Sequence, residues 1–288
     1  IKIAKKDWNS YETSWDFEQL PLLSKENKSE DISSSYQNYR SKCKQMTDEM
    51  KSLEEENNRI FIKAYGLEDE LTPDVPIEEI TLFANPHYRY GGNLKDEERE
   101  FRFKTDTVKE LLSYAVGCMM GRYSLDKPGL VYAHAENKDF DVSQYKTYSE
   151  DNDGIIPIRQ DELFDTVDIA SRLCRFIEVV WGRNYLESNI DFIAEHIAPK
   201  SRESSREAIR MYFANDFYKD HCRTYKKRPI YWLFTSGKEK AFQAIVYLHR
   251  YNESTLSRMR TEYVLPLQTK INRQIENFEQ DIDAAGST

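Results

Sequence analysis

The sequence predicts an α+β fold that is mainly α-helical, with long heptad-patterned helices at both ends, a helical middle and a short β-hairpin near residues 228–249. Three observations predict it. Apolar or core-compatible residues recur at alternating spacings of four and three over residues 32–64, and a second helical stripe covers residues 256–282. Two short apolar runs, RPIYWLFTS and AFQAIVYLH, are joined by Gly237, Lys238, Glu239 and Lys240. With 288 residues and 39% hydrophobic content, the chain can bury one large core or two modest ones, which excludes a disordered tail.

Taken in order, residues 1–30 carry DWNSYETSWDFEQLPLL, rich in Trp and Tyr without clear periodicity, and predict an extended aromatic arm. Residues 31–66 predict a long spacer helix. Its seam is Ile32, Tyr36, Tyr39, Cys43, Met46, Met50, Leu53, Asn57, Ile60 and Ala64, a span of about 48 Å at the helical rise. Asn57 in such a seam fixes register at a cost in stability. The alternative is an ordinary amphipathic helix lying on a core.

Residues 67–252 predict a mixed helical domain with short strands. One helix is expected over 106–122, with Gly117 and Gly121 letting a neighbouring backbone approach. Others are expected over 161–181, with Leu163, Phe164, Val167, Leu173, Cys174, Ile177 and Trp181 facing a core, over 185–197 after the Gly182 stop, and over 204–225. Residues 133–153 are polar and weakly patterned, hence a long loop. Residues 253–288 predict a C-terminal long helix, with Leu256, Met259, Tyr263, Leu267, Ile271, Ile275, Phe278 and Ile282 on one side and Pro266 kinking it.

The formal net charge is −9, but the distribution is lopsided. Residues 223–260 hold nine Lys or Arg against two Glu, a local +7, whereas residues 44–79 hold eleven acidic and four basic residues, a local −7. Only the first region is suited to meeting phosphate. Its candidates are Arg223, Lys226, Lys227, Arg228, Lys238, Lys240, Arg250, Arg258 and Arg260, as phosphate contacts that hold register and carry no base information. The alternative for each is a solvated basic face. Tyr88, Arg89 and Tyr90 are weaker candidates for base or backbone contact.

Cys43, Cys118, Cys174 and Cys222 are scattered, no C-x-x-C occurs, and His221 beside Cys222 points elsewhere on a helix, so the thiols read as reduced and no metal site is expected. No run is apolar enough to span a bilayer and no signal peptide is present, so a cytoplasmic protein without membrane contact is expected. Starting at Ile1 and stopping inside a helical pattern, the chain is expected to be a piece of something longer.

Asn85-Pro86-His87-Tyr88 is one residue from the NPPY loop with which enzymes methylating the adenine amino group hold a flipped base between an Asn side chain and a Pro carbonyl. His87 removes the stiffening proline, and no G-x-G is available among ten glycines to cradle S-adenosylmethionine. A turn after a short strand, ITLFA, explains the tetrapeptide better. Asp126, Glu136 and Lys138 match the spacing of Mg²⁺-dependent nucleases, and so do Asp16, Glu26 and Lys28. A pattern met twice in one acidic chain carries little weight. No P-loop, G-x-S-x-G or H-E-x-x-H occurs.

Five blocks, DWNSYETSWDFEQLPLL, EEENNRIFIKAYGLEDELTPDVP, SYAVGCMMGRYSLDKPGL, DNDGIIPI, and KKRPIYWLF followed by YLHRY, resemble in order the C-terminal half of the adenine-specific DNA methyltransferase of BREX phage-defence systems, the PglX family. NNRIFIKAYGL and RPIYW are also similar to type IIG restriction-modification enzymes. The resemblance implies an S-adenosylmethionine-dependent N6-adenine methyltransferase as parent, with its NPPY upstream. The region here would carry spacer and target-recognition elements, be non-catalytic, hold no cofactor or metal, and contact double-stranded DNA. Other partners would be the upstream methyltransferase domain and BREX proteins. A protein-interaction scaffold without DNA contact is the alternative, and a Mg²⁺-dependent nuclease domain a minor one.

Overall fold

The structure, a computed structural model, describes residues 1–149, 151–159 and 168–286. It is mainly helical with one three-stranded antiparallel sheet. The chain divides into two compact units, Ile1–Tyr114 with Ile177–Lys200, and Ala115–Phe176 with Ser201–Thr288.

In the first unit, residues 1–30 are not an extended arm. They fold into α1 (Lys2–Trp8) and a run of turns ending in a 3₁₀ turn at Pro21–Leu23. The reason is chemical: the carboxylate of Asp7, buried, accepts from the backbone N–H groups of Phe83 and Ala84 at 2.8 and 2.9 Å, and Phe17, Leu20 and Leu22 are buried. The rod α2 (Ile32–Tyr65) begins at Asp31, whose side chain accepts from the Ser34 N–H at 2.7 Å, and stops at Gly66 in the left-handed conformation.

Only the first half of the α2 seam is buried. Ile32, Tyr36, Tyr39 and Cys43 are covered, with Asn189 accepting from the Ile32 N–H at 2.8 Å and Tyr39 stacked on Phe103 at 6.1 Å. Met46 and Met50 are half-buried, while Leu53 and Ile60 are 55% and 57% exposed and Asn57 and Ala64 lie in solvent. The seam predicted over 32–64 is therefore covered only in its first half. A heptad pattern shows which residues share a face, and α6 (Leu186–Ile197) with the 20–23 turn supplies partners only to the first turns.

The next elements are α3 (Pro86–Tyr90) and α4 (Asp96–Met119). The latter starts ten residues before the expected position: its first turn is exposed and acidic, and the apolar residues that follow, Phe101 and the buried Phe103, are too few to show a helical stripe. Its buried face includes Val108, Leu111, Leu112, Ala115, Cys118 and Met119. Aromatic rings, not a backbone, crowd the two glycines. A Cβ on Gly117 would lie 2.4 Å from the Tyr123 ring, and one on Gly121, at φ +76°, 2.7 Å from Phe140.

The second unit is built on the sheet of β1 (Ile155–Ile158), β2 (Tyr231–Thr235) and β3 (Gln243–Tyr247), in the order β1-β3-β2. The hairpin pairs Tyr231 with Tyr247 and Thr235 with Gln243. The strand β1, pairing Ile155 with Val246, was not read from sequence. It has only four residues and contains Pro157, which an edge strand tolerates. Helix α5 (Ile169–Trp181) buries Leu173, Ile177 and Trp181, with Cys174 half-buried. The expectations for Leu163, Phe164 and Val167 lie outside the described residues.

Helix α7 (Ser205–Tyr212), opened by a Ser204–Glu207 capping box, passes through a π-helical segment at Phe213–Phe217 into α8 (Tyr218–Thr224). The C-terminal rod is α9 (Thr255–Arg258), a π-helical segment at Met259–Val264 and α10 (Leu265–Gly286). The wider turn falls immediately before Pro266, where the absent N–H breaks the regular ladder. Met259 and Leu267 pack with Ile155, Ala244 and Val246, whereas Ile275, Phe278 and Ile282 are 49%, 64% and 70% exposed.

Candidate nucleic-acid interface

The basic segment starts where α8 ends. Lys226 and Lys227 close that helix with φ of +50° and +62°, and the Lys227 N–H donates to the Cys222 carbonyl at 2.7 Å. Left-handed backbone costs a side-chain-bearing residue roughly 1–2 kcal/mol, so this turn must be held from elsewhere. His221 helps to hold it. Its Nε2 accepts from the backbone N–H groups of Ile230 and Tyr231 at 3.1 and 3.3 Å, tying α8 to the start of β2 across the Lys226–Arg228 turn. Burial, then the Arg122 charge, push its pKa down to about 4, so the imidazole is neutral and carries its proton on Nδ1. His221 is thus a structural acceptor.

The nine basic candidates separate into three groups. Lys226, Lys227, Arg228, Lys238 and Arg260 are exposed and form no ion pair among the described residues. Arg223 is exposed but pairs with Asp220 at 2.9 Å; Arg258, half-buried, pairs with Asp153 at 3.4 Å and Glu262 at 3.1 Å; the Lys240 ammonium donates to the Ala214 carbonyl at 3.2 Å and the Asn215 Oδ1 at 2.5 Å.

Arg250 is withdrawn from the face altogether. It is 1% exposed, and its guanidinium donates to the carbonyls of Asp151 at 2.5 Å and Asn152 at 2.9 Å and to Asn137 Oδ1 at 2.9 Å, over the Phe140 ring at 3.9 Å. Counting charge along a sequence cannot detect such burial. Around it lies a buried acidic turn. Asp151 Oδ1 accepts from the N–H groups of Asp153, Gly154 and Ile155, its Oδ2 meets Arg172 at 2.5 Å, and Asp153 Oδ2 meets the Tyr263 hydroxyl at 3.1 Å. Burial and the neighbouring Asp151 push the Asp153 carboxyl upward. DNDG is a structural staple between β1 and the C-terminal rod.

Sequence reasoning missed Trp232. It lies on the edge strand β2, between the Lys226–Arg228 turn and Lys238, and is 47% exposed, with Tyr218 against it in a T-shaped contact at 6.5 Å. The available signal was the alternation in YWLFT, which alternates between the two sides of a strand.

The other candidates turn inward. Arg89 pairs with Glu110 at 2.9 Å and Asp106 at 3.2 Å and lies over the Tyr11 ring; Tyr90 donates to Asp106 at 2.8 Å; only Tyr88 is exposed. Asn85, 1% exposed, caps α3: its Oδ1 accepts from the His87 N–H at 3.1 Å, and its Nδ2 donates to the carbonyls of Ile77 and Ile80 at 2.7 and 2.9 Å. The amide that would hold a flipped adenine is engaged by backbone at both its oxygen and its nitrogen. Asp126 accepts from the N–H groups of Lys146 and Thr147 at 2.7 and 2.9 Å, Glu136 pairs with Lys138 at 2.6 Å, and Glu26 pairs with Lys42 at 2.6 Å. Among the described residues no group of three His, Cys, Asp or Glu is placed to hold a metal, the four cysteines are free, and no helix is long and apolar enough to cross a membrane.

No family model matches the chain. It is 46% identical over 294 residues to the adenine-specific methyltransferase BrxX of Escherichia coli O9:H4 (strain HS), covering 99% of this chain and 24% of that protein. It is 37% identical over 289 residues to the adenine-specific methyltransferase PglX of Lacticaseibacillus casei (strain Zhang), covering 98% of this chain and 22% of that protein. The chain spans about a quarter of the length of these curated relatives. Matched almost end to end at these identities, the chain matches a C-terminal region of the BREX PglX family.

Proposed function

We propose that this region positions DNA for an N6-adenine methyltransferase domain carried upstream in a longer parent chain. It forms the C-terminal spacer and target-recognition part of that enzyme, which marks DNA in BREX phage defence in the bacterial cytoplasm. S-adenosylmethionine belongs to the upstream domain; this region is non-catalytic and binds no cofactor. Its partners are double-stranded DNA, the upstream domain and other BREX proteins.

The observation that carries the proposal is the set of five exposed cations, Lys226, Lys227, Arg228, Lys238 and Arg260, with no carboxylate partner among the described residues, in a chain of net charge −9. Unpaired cations in an acidic protein are available to an external polyanion, and each phosphate they neutralise releases counterions. The test is titration of the chain with duplex DNA at several salt concentrations. Weak, sequence-tolerant binding that falls steeply with salt is expected; no binding at low salt would overturn it.

One observation favours a protein-interaction scaffold instead. The distal half of α2 exposes Leu53, Ile60, Phe61 and Tyr65, an apolar stripe of the kind that protein interfaces cover. Its acidic flank repels DNA, so α2 carries the spacer part of the proposal and the basic segment carries the DNA part.

A further inference from the structure

The basic segment contains one feature that phosphate contact does not use. Trp232 exposes 47% of its surface in the middle of the edge strand β2, and a T-shaped contact with Tyr218 leaves part of the indole open. The side chains on the same side of the hairpin are accounted for: Val246, directly across from Trp232, is buried with Ile155, Ala244 and Met259, and Phe234 packs partly against that cluster. Trp232 lies at the rim of this core. The exposed cations Lys226, Lys227 and Arg228 precede the strand and Lys238 follows it, so the indole sits in a row with positive charge at both ends. Strand β2 spans roughly 13 Å from its first to its last residue, about four base steps at the B-form rise. Between residues 224 and 252 the only acidic residue is Glu239.

An indole carries no charge and offers a phosphate little. What it offers is a flat apolar face of the size of a nucleobase, and base–aromatic stacking between cations that track a backbone is the usual composition of single-strand binding surfaces. In a closed duplex the faces of the bases are occupied by one another, so only an unpaired base can take this position. We propose that Trp232 is a stacking surface for an unpaired nucleobase, and that the β2 edge, with Lys226–Arg228 at one end and Lys238 at the other, binds a single-stranded or locally opened DNA segment in preference to closed duplex. This rests on the DNA-positioning role proposed above and extends it to the form of DNA taken.

The experiment compares the 288-residue chain with its Trp232→Ala, Trp232→Phe and Lys226→Ala/Lys227→Ala/Arg228→Ala variants, titrated at low salt with a twelve-nucleotide oligo-dT and with a closed duplex hairpin. Intrinsic tryptophan emission and affinity are both read. Oligo-dT is expected to bind more tightly than the hairpin and to quench emission. Trp232→Ala is expected to lose most of the quenching and about tenfold in oligo-dT affinity, with the salt slope unchanged. Trp232→Phe should retain part of the affinity, which also covers the case that Trp232→Ala folds poorly. If Trp232→Ala and Trp232→Phe bind oligo-dT as the parent chain does while the charge variant binds more weakly, stacking at Trp232 is overturned and the DNA role stands. If neither DNA binds, both are overturned.

Discussion

His221 and Tyr231 are locked together at two levels: the imidazole Nε2 accepts from the Tyr231 backbone N–H at 3.3 Å, and the two rings lie 4.7 Å apart. The bond exists only while the imidazole is neutral. Its pKa falls from the ordinary 6.5 to about 4 in the fold, through burial and the Arg122 charge. A depressed folded value means that the contribution is fully present above pH 6.5 and is lost as pH falls through the window to about 4. The loss approaches about 3 kcal/mol. Denaturant unfolding at pH 7.5 and 4.5 should show His221→Gln, which keeps an acceptor but does not titrate, losing less stability than the parent by about 2–3 kcal/mol. Parallel losses would mean that His221 is not the buried acceptor described.

Arg250 should behave as a core residue. Arg250→Ala leaves the Asp151 and Asn152 carbonyls without their donor and removes the cover from Phe140, costing about 3 kcal/mol or more. Arg250→Lys keeps one charge and fewer hydrogen bonds and should lose less. Denaturant midpoints read both effects, and the DNA salt slope of folded Arg250→Lys should equal that of the parent chain.

Along α2, a charge tests which half of the seam is covered. Cys43→Asp places a carboxylate at a 1% exposed position and should cost several kcal/mol, whereas Leu53→Asp, at 55% exposure, should stay within about 0.5 kcal/mol. Thermal melts of the two variants provide the comparison. Equal losses would contradict the exposed distal half.

How much of this was legible in sequence depended on whether the signal was local. Asp31 and Gly66 mark the ends of α2, and the alternation in RPIYWLFTS and AFQAIVYLH marks the hairpin, because caps and strand alternation are properties of neighbouring residues. Cover is not local. The sequence places Leu53 and Cys43 on one seam, but elements distant in sequence, among them the turn at 20–23, α4 and α6, pack on α2 and decide which is buried. Arg250 and Lys226 look alike as charges, yet one chelates two carbonyls and the other lies in solvent. Pro157 concealed β1 because its pairing with β3 lies some ninety residues away in sequence.

The NPHY turn makes a prediction about chemistry. Asn85→Ala removes the hydrogen bond that caps α3 and the two that tie it to the Ile77 and Ile80 carbonyls, and should cost about 2–3 kcal/mol in a denaturant melt. Calorimetric titration of the unsubstituted chain with S-adenosylmethionine should show no binding; micromolar affinity would move the cofactor site into this region.

The DNA-positioning role is tested most directly by the salt dependence of duplex binding. Replacing Lys226, Lys227 and Arg228 together by Ala should flatten the slope of log affinity against log salt by about two to three units, since each phosphate contact contributes about 0.9. Replacing Lys42, Lys44 and Lys51 on α2 is the matched control, in which Lys42 is already paired with Glu26 and Lys51 with Glu55. That variant should keep the parent slope. Identical slopes for the two triple variants would remove the basic segment as the contact surface and leave the apolar stripe of α2 as the site of partner binding.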